Sequence, residues 1–122
     1  MKADLHCHTH LSDGQHTLAF VIERARANLV THLAITDHDV SQALPQPVNQ
    51  QGLKLINGVE ISCLWESFEL HVVGLFVDPT NMRLQTLLSA QQARRRERVA
   101  QIDDKLTALG TKGLLLDLLA MP

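Results

Sequence analysis

Asp4-Leu5-His6-Cys7-His8-Thr9-His10-Leu11-Ser12-Asp13-Gly14 sets three histidines and two carboxylates into one short stretch near the amino terminus. With Lys2–Cys7 read as a β-strand, side-chain alternation puts His6 and His8 on one face with Asp4 beside them. Leu5 and Cys7 turn the other way. Two imidazoles on one face form a chelate. Imidazole with carboxylate is the donor set of Zn, Mn and Fe sites, and neutral imidazoles need nearby carboxylates to balance the cation charge. Asp13, on the Ser12-Asp13-Gly14 turn, can swing back to the same rim.

Working outward, three apolar runs each carry polar residues of the same kind. Leu33–Thr36 reads as a short buried strand that ends in Asp37, His38 and Asp39. Leu53–Glu60 repeats the pattern and ends in Glu60, and Glu69–Phe76 is a third run with His71 inside it. Between the first two strands, Thr17 is placed to cap a helix reaching to about Asn28, with Leu18, Val21, Ile22, Ala25 and Leu29 as its apolar stripe. Strands alternating with helices predict a parallel α/β sheet or barrel, whose chemistry gathers at the carboxyl ends of the strands.

Ser41–Gln51, with Pro45 and Pro47, reads as a broken helix or loop on the rim. From Asn81 to Leu109 the spacing of Leu84, Leu87, Leu88, Ile102, Leu106 and Leu109 predicts one long helix stopped by Gly110. Its middle carries Arg94-Arg95-Arg96-Glu97-Arg98. A run of this kind is commonly a solvated face, but Arg95 and Arg98 are three apart and share a side, where two guanidinium groups can clamp a phosphate. No linker, repeat or low-complexity tract divides the chain, so residues 1–122 read as a single unit.

Taken together these segments resemble the PHP (polymerase and histidinol phosphatase) family of metal-dependent phosphoesterases. The resemblance is carried by Asp4–Thr9, Ser12–Gly14, Leu33–Asp39, Asn57–Ser62 and Glu69–Leu75, in that order. It is strongest to the bacterial branch that hydrolyses nucleoside 3′,5′-bisphosphates and trims short RNA from the 5′ end. The fold it implies is α/β, the amino-terminal half of a distorted (β/α)7 barrel.

The resemblance also implies roles. His6, His8 and Glu60 would hold one divalent ion, Glu60 would bridge to a second that His71 also binds, and Asp13 with His38 would hold a third. Up to three ions follow, with Mn the first choice and Zn or Fe the alternatives. Asp4, Asp37 and Asp39 are then candidates to orient the imidazoles, with turn or strand-end capping as their ordinary alternative. Arg95 aligns with the arginine that grips a second phosphate, and Arg98 stands beside it. His10 falls where the motif is open, and His16 and His32 lie outside it, so all three read as non-ligands.

The family completes its metal shell with downstream Ala-His-Pro and Ser-Asp-Phe-His segments that are absent here. A complete (β/α) barrel also needs about 200 residues or more, against 122 here. A partial PHP domain over 1–122, with the carboxy-terminal half of the barrel absent, is therefore expected. The expected activity is hydrolysis of nucleotide phosphate esters by metal-activated water. The alternatives are a non-catalytic metal-binding fragment, a histidinol-phosphatase-like enzyme, or a PHP domain serving a polymerase.

Composition narrows the partners. The net charge of −2 excludes a global basic field for nucleic acid, so any grip on phosphate must be local. No apolar run is long enough to span a bilayer, and the first residues lack the apolar core of a secretory signal, which predicts no membrane partner and a cytoplasmic location. Cys7 and Cys63 are expected as reduced thiols. The apolar carboxyl end, Leu114–Pro122, is a candidate for self-association.

Overall fold

The computed structural model describes residues 1–45, 49–50 and 52–111. The chain forms two compact units, Met1–Leu88 and Ser89–Pro122. The first unit holds a mixed sheet with spatial order β1-β2-β4-β3 and β5 paired to β4. The strands are β1 (Ala3–Asp4), β2 (His32–Ile35), β3 (Asn49–Gln50), β4 (Leu53–Trp65) and β5 (Phe68–Leu75), with helix α1 (Leu18–Ala27) between β1 and β2.

β1 pairs with β2 and β2 with β4 in parallel, which requires crossovers rather than tight turns; β2 and the first half of β4 are mostly buried, whereas both residues of β1 are exposed. Leu33, Ile35, Leu44, Leu53 and Leu55 pack with Ile22 and Ala25 of α1 in one core, with Cys7, Leu18, Val21 and Val30 against it. Thr17 caps α1 as its sequence predicts, its hydroxyl accepting from Phe20 N at 3.3 Å. The stripe holds for Leu18, Val21, Ile22 and Ala25. Leu29 breaks it, because it lies past the helix at φ 57° and is 79% exposed. Two bonds close the helix end, Leu29 N to Arg26 O and Val30 N to Ala25 O, both 2.9 Å. That is a Schellman end with leucine where glycine is the usual residue.

Several strand readings need correction. The strand expected over Lys2–Cys7 shrinks to Ala3–Asp4, because beyond Asp4 the neighbouring backbone bonds lapse until Thr36 N donates to Cys7 O at 2.8 Å. The run expected to end at Glu60 continues to Trp65. It can do so because β4 changes partners, pairing with β2 over Lys54–Asn57 and with β5 over Gly58–Trp65.

The second pairing is antiparallel and the two strands are joined by Glu66 and Ser67 alone, with Glu66 at φ 55°. No crossover helix fits into two residues, so the parallel alternation expected here gives way to a hairpin. Among the described residues β5 pairs only with β4, so this third run is largely exposed rather than buried. Of the segment expected as a broken helix or loop, 41–45 has no regular structure and Asn49–Gln50 pairs with β4 as β3; 46–48 and 51 lie outside the described residues.

Helix α2 (Met82–Ala108) follows the sequence closely. Asn81 Oδ1 accepts from Arg83 N and Leu84 N at 3.0 and 3.1 Å, and Gly110 at φ 93° ends the helix. Its first turns, through the buried Leu88, belong to the first unit; its remainder, including exposed Arg94, Arg95, Arg96 and Arg98, belongs to the second. Among the described residues no helix is long and apolar enough to cross a membrane. The apolar Leu114–Pro122 lies outside them.

Candidate metal centre

Glu60 lies just past Gly58, where β4 passes from β2 to β5. Its backbone is pinned there by Glu60 N to Asp37 O at 3.1 Å and Asp39 N to Glu60 O at 2.9 Å. Two residues earlier, a side chain at Gly58 would meet Ile35 O at 2.9 Å and Thr36 Cγ2 at 2.7 Å. Glycine at 58 is what lets three strands meet beside the carboxylate.

Around the buried Glu60 stand imidazoles from three other segments. Oε2 accepts from His6 Nε2 at 2.8 Å, and Oε1 accepts from His71 Nδ1 at 3.1 Å. His8 Nε2 lies 2.7 Å and His38 Nε2 3.7 Å from Oε2. Asp13 joins from its turn, with His8 Nδ1 donating to Oδ1 at 2.5 Å and His38 Nε2 3.5 Å from Oδ2. The rings of His8 and His38 are 4.6 Å apart, and those of His38 and His71 are 4.9 Å apart.

Three overlapping sets of donors result, each with its ligand atoms within 4.8 Å of one another: His6, His8 and Glu60; His8, Asp13 and His38; and His38, Glu60 and His71. The grouping is tighter than expected, because His8 serves two sets and His38 also serves two. His8 Nε2 carries the clearest sign of what the arrangement suits. It is buried and makes no hydrogen bond, although Glu60 Oε2 is only 2.7 Å away. The distance is short enough, so the alignment is what fails. Two electron-pair donors held close but out of line fit a shared cation better than they fit each other.

The electrostatics agree. Burial pushes the Glu60 carboxyl up, but the His6 hydrogen bond and the charges of His38, His6 and His8 outweigh it and hold the group below the usual glutamate range. Asp13 is held low in the same way, burial being outweighed by His8 and His38. Both carboxylates are therefore ionised near neutral pH, as metal ligands must be.

The three further aspartates act on backbone and hydroxyl groups. Asp37, 1% exposed, accepts from Thr9 N at 2.7 Å, Thr9 Oγ1 at 2.8 Å and Ser12 Oγ at 2.7 Å, which fastens the loop between His8 and Asp13. Asp39, at φ 52° and fully buried, accepts from Ser62 N at 3.1 Å and so anchors β4 beyond Glu60. Asp4 is exposed and accepts weakly from His6 N at 3.5 Å.

Thr9, Ser12 and Thr36 are supporting residues that the sequence reading passed over. Thr9 is fully buried, and Thr36 Oγ1 accepts from Cys7 N at 3.1 Å, tying down the chain beyond the end of β1. The only cue for them is a hydroxyl next to each ligand motif, and their partners lie some 28 residues away in the chain. Gly14 is equally structural: a Cβ there would lie 2.5 Å from His8 O.

The PHP domain profile matches residues 4–117. A 5′-3′ exoribonuclease of Haemophilus influenzae is 40% identical over 112 residues, covering 89% of this chain and 41% of that protein. A 3′,5′-nucleoside bisphosphate phosphatase of Chromobacterium violaceum is 38% identical over 113 residues, covering 90% of this chain and 40% of that one. The crystal structure of an amidohydrolase from Chromobacterium violaceum, with bound sulfate and no metal, matches at a TM-score of 0.82 and 36% identity over 94% of this chain and 42% of that one. The chain spans about 40% of the length of these curated relatives. With the histidine and carboxylate motifs, the sheet that gathers them and the profile match all in agreement, the fold is the amino-terminal part of a PHP-type α/β barrel and the chain belongs to the PHP domain family.

Proposed function

We propose that this chain carries the metal-holding part of a phosphoesterase that hydrolyses phosphate esters of nucleotides, either nucleoside 3′,5′-bisphosphates or the 5′ ends of short RNA. The observation that carries the reading is Glu60, buried and reached by imidazoles from three other segments, with one imidazole nitrogen buried beside it and making no hydrogen bond. In this reading His6, His8 and Glu60 hold one divalent ion, Glu60 and His71 hold a second, and Asp13 with His38 holds a third. Mn is the proposed metal, with Zn and Fe also suited to imidazole and carboxylate donors. Bound ions of this kind polarise phosphate oxygens and supply a water acidic enough to attack phosphorus near neutral pH.

The protein's own residues do the positioning. Glu60, with Oε1 beside His71 and Oε2 beside His6 and His8, would offer one oxygen to each of two ions. Asp37 and Gly14 hold the Thr9–Gly14 turn so that Asp13 returns to the rim. Arg95, with Arg98, is proposed to hold the substrate's second phosphate, on the strength of the family resemblance and the paired guanidinium groups exposed on α2.

Release of inorganic phosphate from adenosine 3′,5′-bisphosphate in Mn, set against histidinol phosphate, tests the reading. Faster release from the nucleotide supports it; a preference for histidinol phosphate refutes it, and no release from either favours the non-catalytic metal-binding fragment. Arg95→Ala should raise KM more for the bisphosphate than for a simple monoester, and equal changes would remove Arg95 from the substrate site.

A further inference from the structure

The loop that carries Asp13 is stiffly built, yet it leaves apolar and aromatic groups in water. Asp37 fastens Thr9 and Ser12. Gly14 N donates to Thr9 O at 3.0 Å, and His10 N donates to His16 O at 2.9 Å, closing the loop at its base. On this frame Leu11 is 43% and Phe20 41% exposed, and His16 is exposed. The rings of His16 and Phe20 lie together, centroids 4.2 Å apart and tilted by 32°.

His16 precedes the helix cap Thr17, so the ring pair also braces the entry to α1, much as a hydrophobic staple does. That role accounts for the contact between the rings and leaves their outer faces open. Neither ring belongs to the metal-binding sets. His16 is three positions from Asp13 in the chain, so their Cα atoms lie within about 11 Å of each other. A nucleotide bridges a span of that order between its phosphate and its base.

We infer that His16 and Phe20 form a stacking platform for the nucleobase of the substrate. The inference rests on the nucleotide reading above and deepens it by naming how the base is held. Stacking uses the π-face that every base presents, and no hydrogen-bonding edge is read. The platform therefore accepts the four bases about equally.

The test is binding to the Mn-loaded chain by 2-aminopurine riboside 3′,5′-bisphosphate, whose fluorescence is quenched on stacking, against ribose 3,5-bisphosphate, which has no base. The base-bearing probe should bind about tenfold tighter or better, with quenching. His16→Ala and Phe20→Ala should each remove most of that advantage and leave ribose bisphosphate binding unchanged. His16→Phe, which keeps a π-face and drops the imidazole, should retain it. Equal affinity for the two probes, or quenching unaffected by both alanine variants, overturns the platform and leaves the phosphoesterase reading standing. Failure of both probes to bind the Mn-loaded parent overturns both readings.

Discussion

Replacing Glu60 with Gln keeps its shape and removes its charge, so it separates ligation from packing. Mn binding should weaken by more than about 100-fold, measured as metal stoichiometry after dialysis, since even a residue that only orients a ligand changes affinity by about 10–100-fold. Retained stoichiometry would show that the imidazoles suffice. Asp37→Ala addresses the support instead. It strips partners from the buried Thr9 N–H and hydroxyl, and should cost about 2–4 kcal/mol in denaturant unfolding. The ligand types were legible at this scale, because His6, His8, His38 and Asp13 sit in dense polar motifs. His71 was the hardest to place by position alone, being a single histidine in an apolar run; the resemblance put it with the others, and the structure sets its Nδ1 3.1 Å from Glu60 Oε1.

At the scale of elements, Leu29 offers a clean prediction. It is a non-glycine residue in the left-handed region at the end of α1, and its side chain is mostly in water. Leu29→Gly should raise stability by about 1 kcal/mol, since it relieves the backbone and gives up little packing. An unchanged or lower unfolding midpoint would show that Leu29 makes contacts worth as much. Both helices were readable because their caps and apolar spacing are local: Thr17 and Asn81 start them, and Gly110 ends the second. The β4–β5 hairpin was not readable as such. Its turn, Glu66-Ser67, lacks the Asn-Gly or Gly signature that marks two-residue loops, and an apolar run looks the same in a parallel or an antiparallel strand.

For the molecule as a whole, metal and protons should act on stability in a linked way. Mn at about 100 times its Kd should stabilise the folded chain by about 2.7 kcal/mol, seen as a rise in Tm that a chelator reverses. No shift with Mn would argue against a site formed on folding. Without metal, the depressed carboxyls of Glu60 and Asp13 bind protons less readily folded than unfolded. Their contribution is present above the ordinary carboxylate range, near pH 4 to 4.5, and is lost as pH falls through their lower folded values. The unfolding midpoint of the metal-free chain should fall with pH in that window, and Glu60→Gln should flatten the slope. Trp65, the single tryptophan, is 66% exposed on the hairpin, so its emission should be solvent-like and readily quenched by acrylamide.

The sequence by itself determined the α/β class, the helices Leu18–Ala27 and Met82–Ala108, and the donor types gathered at the centre, because propensity, capping and donor type are properties of residues and near neighbours. Tertiary structure alone decided which donors share which neighbour. His8 and His38 each serve two sets, and Asp37 reaches Thr9 and Ser12 across some 28 residues of chain. Those distances depend on where β4 turns from one partner strand to another at Gly58, and such a crossing is set by the packing of several segments at once.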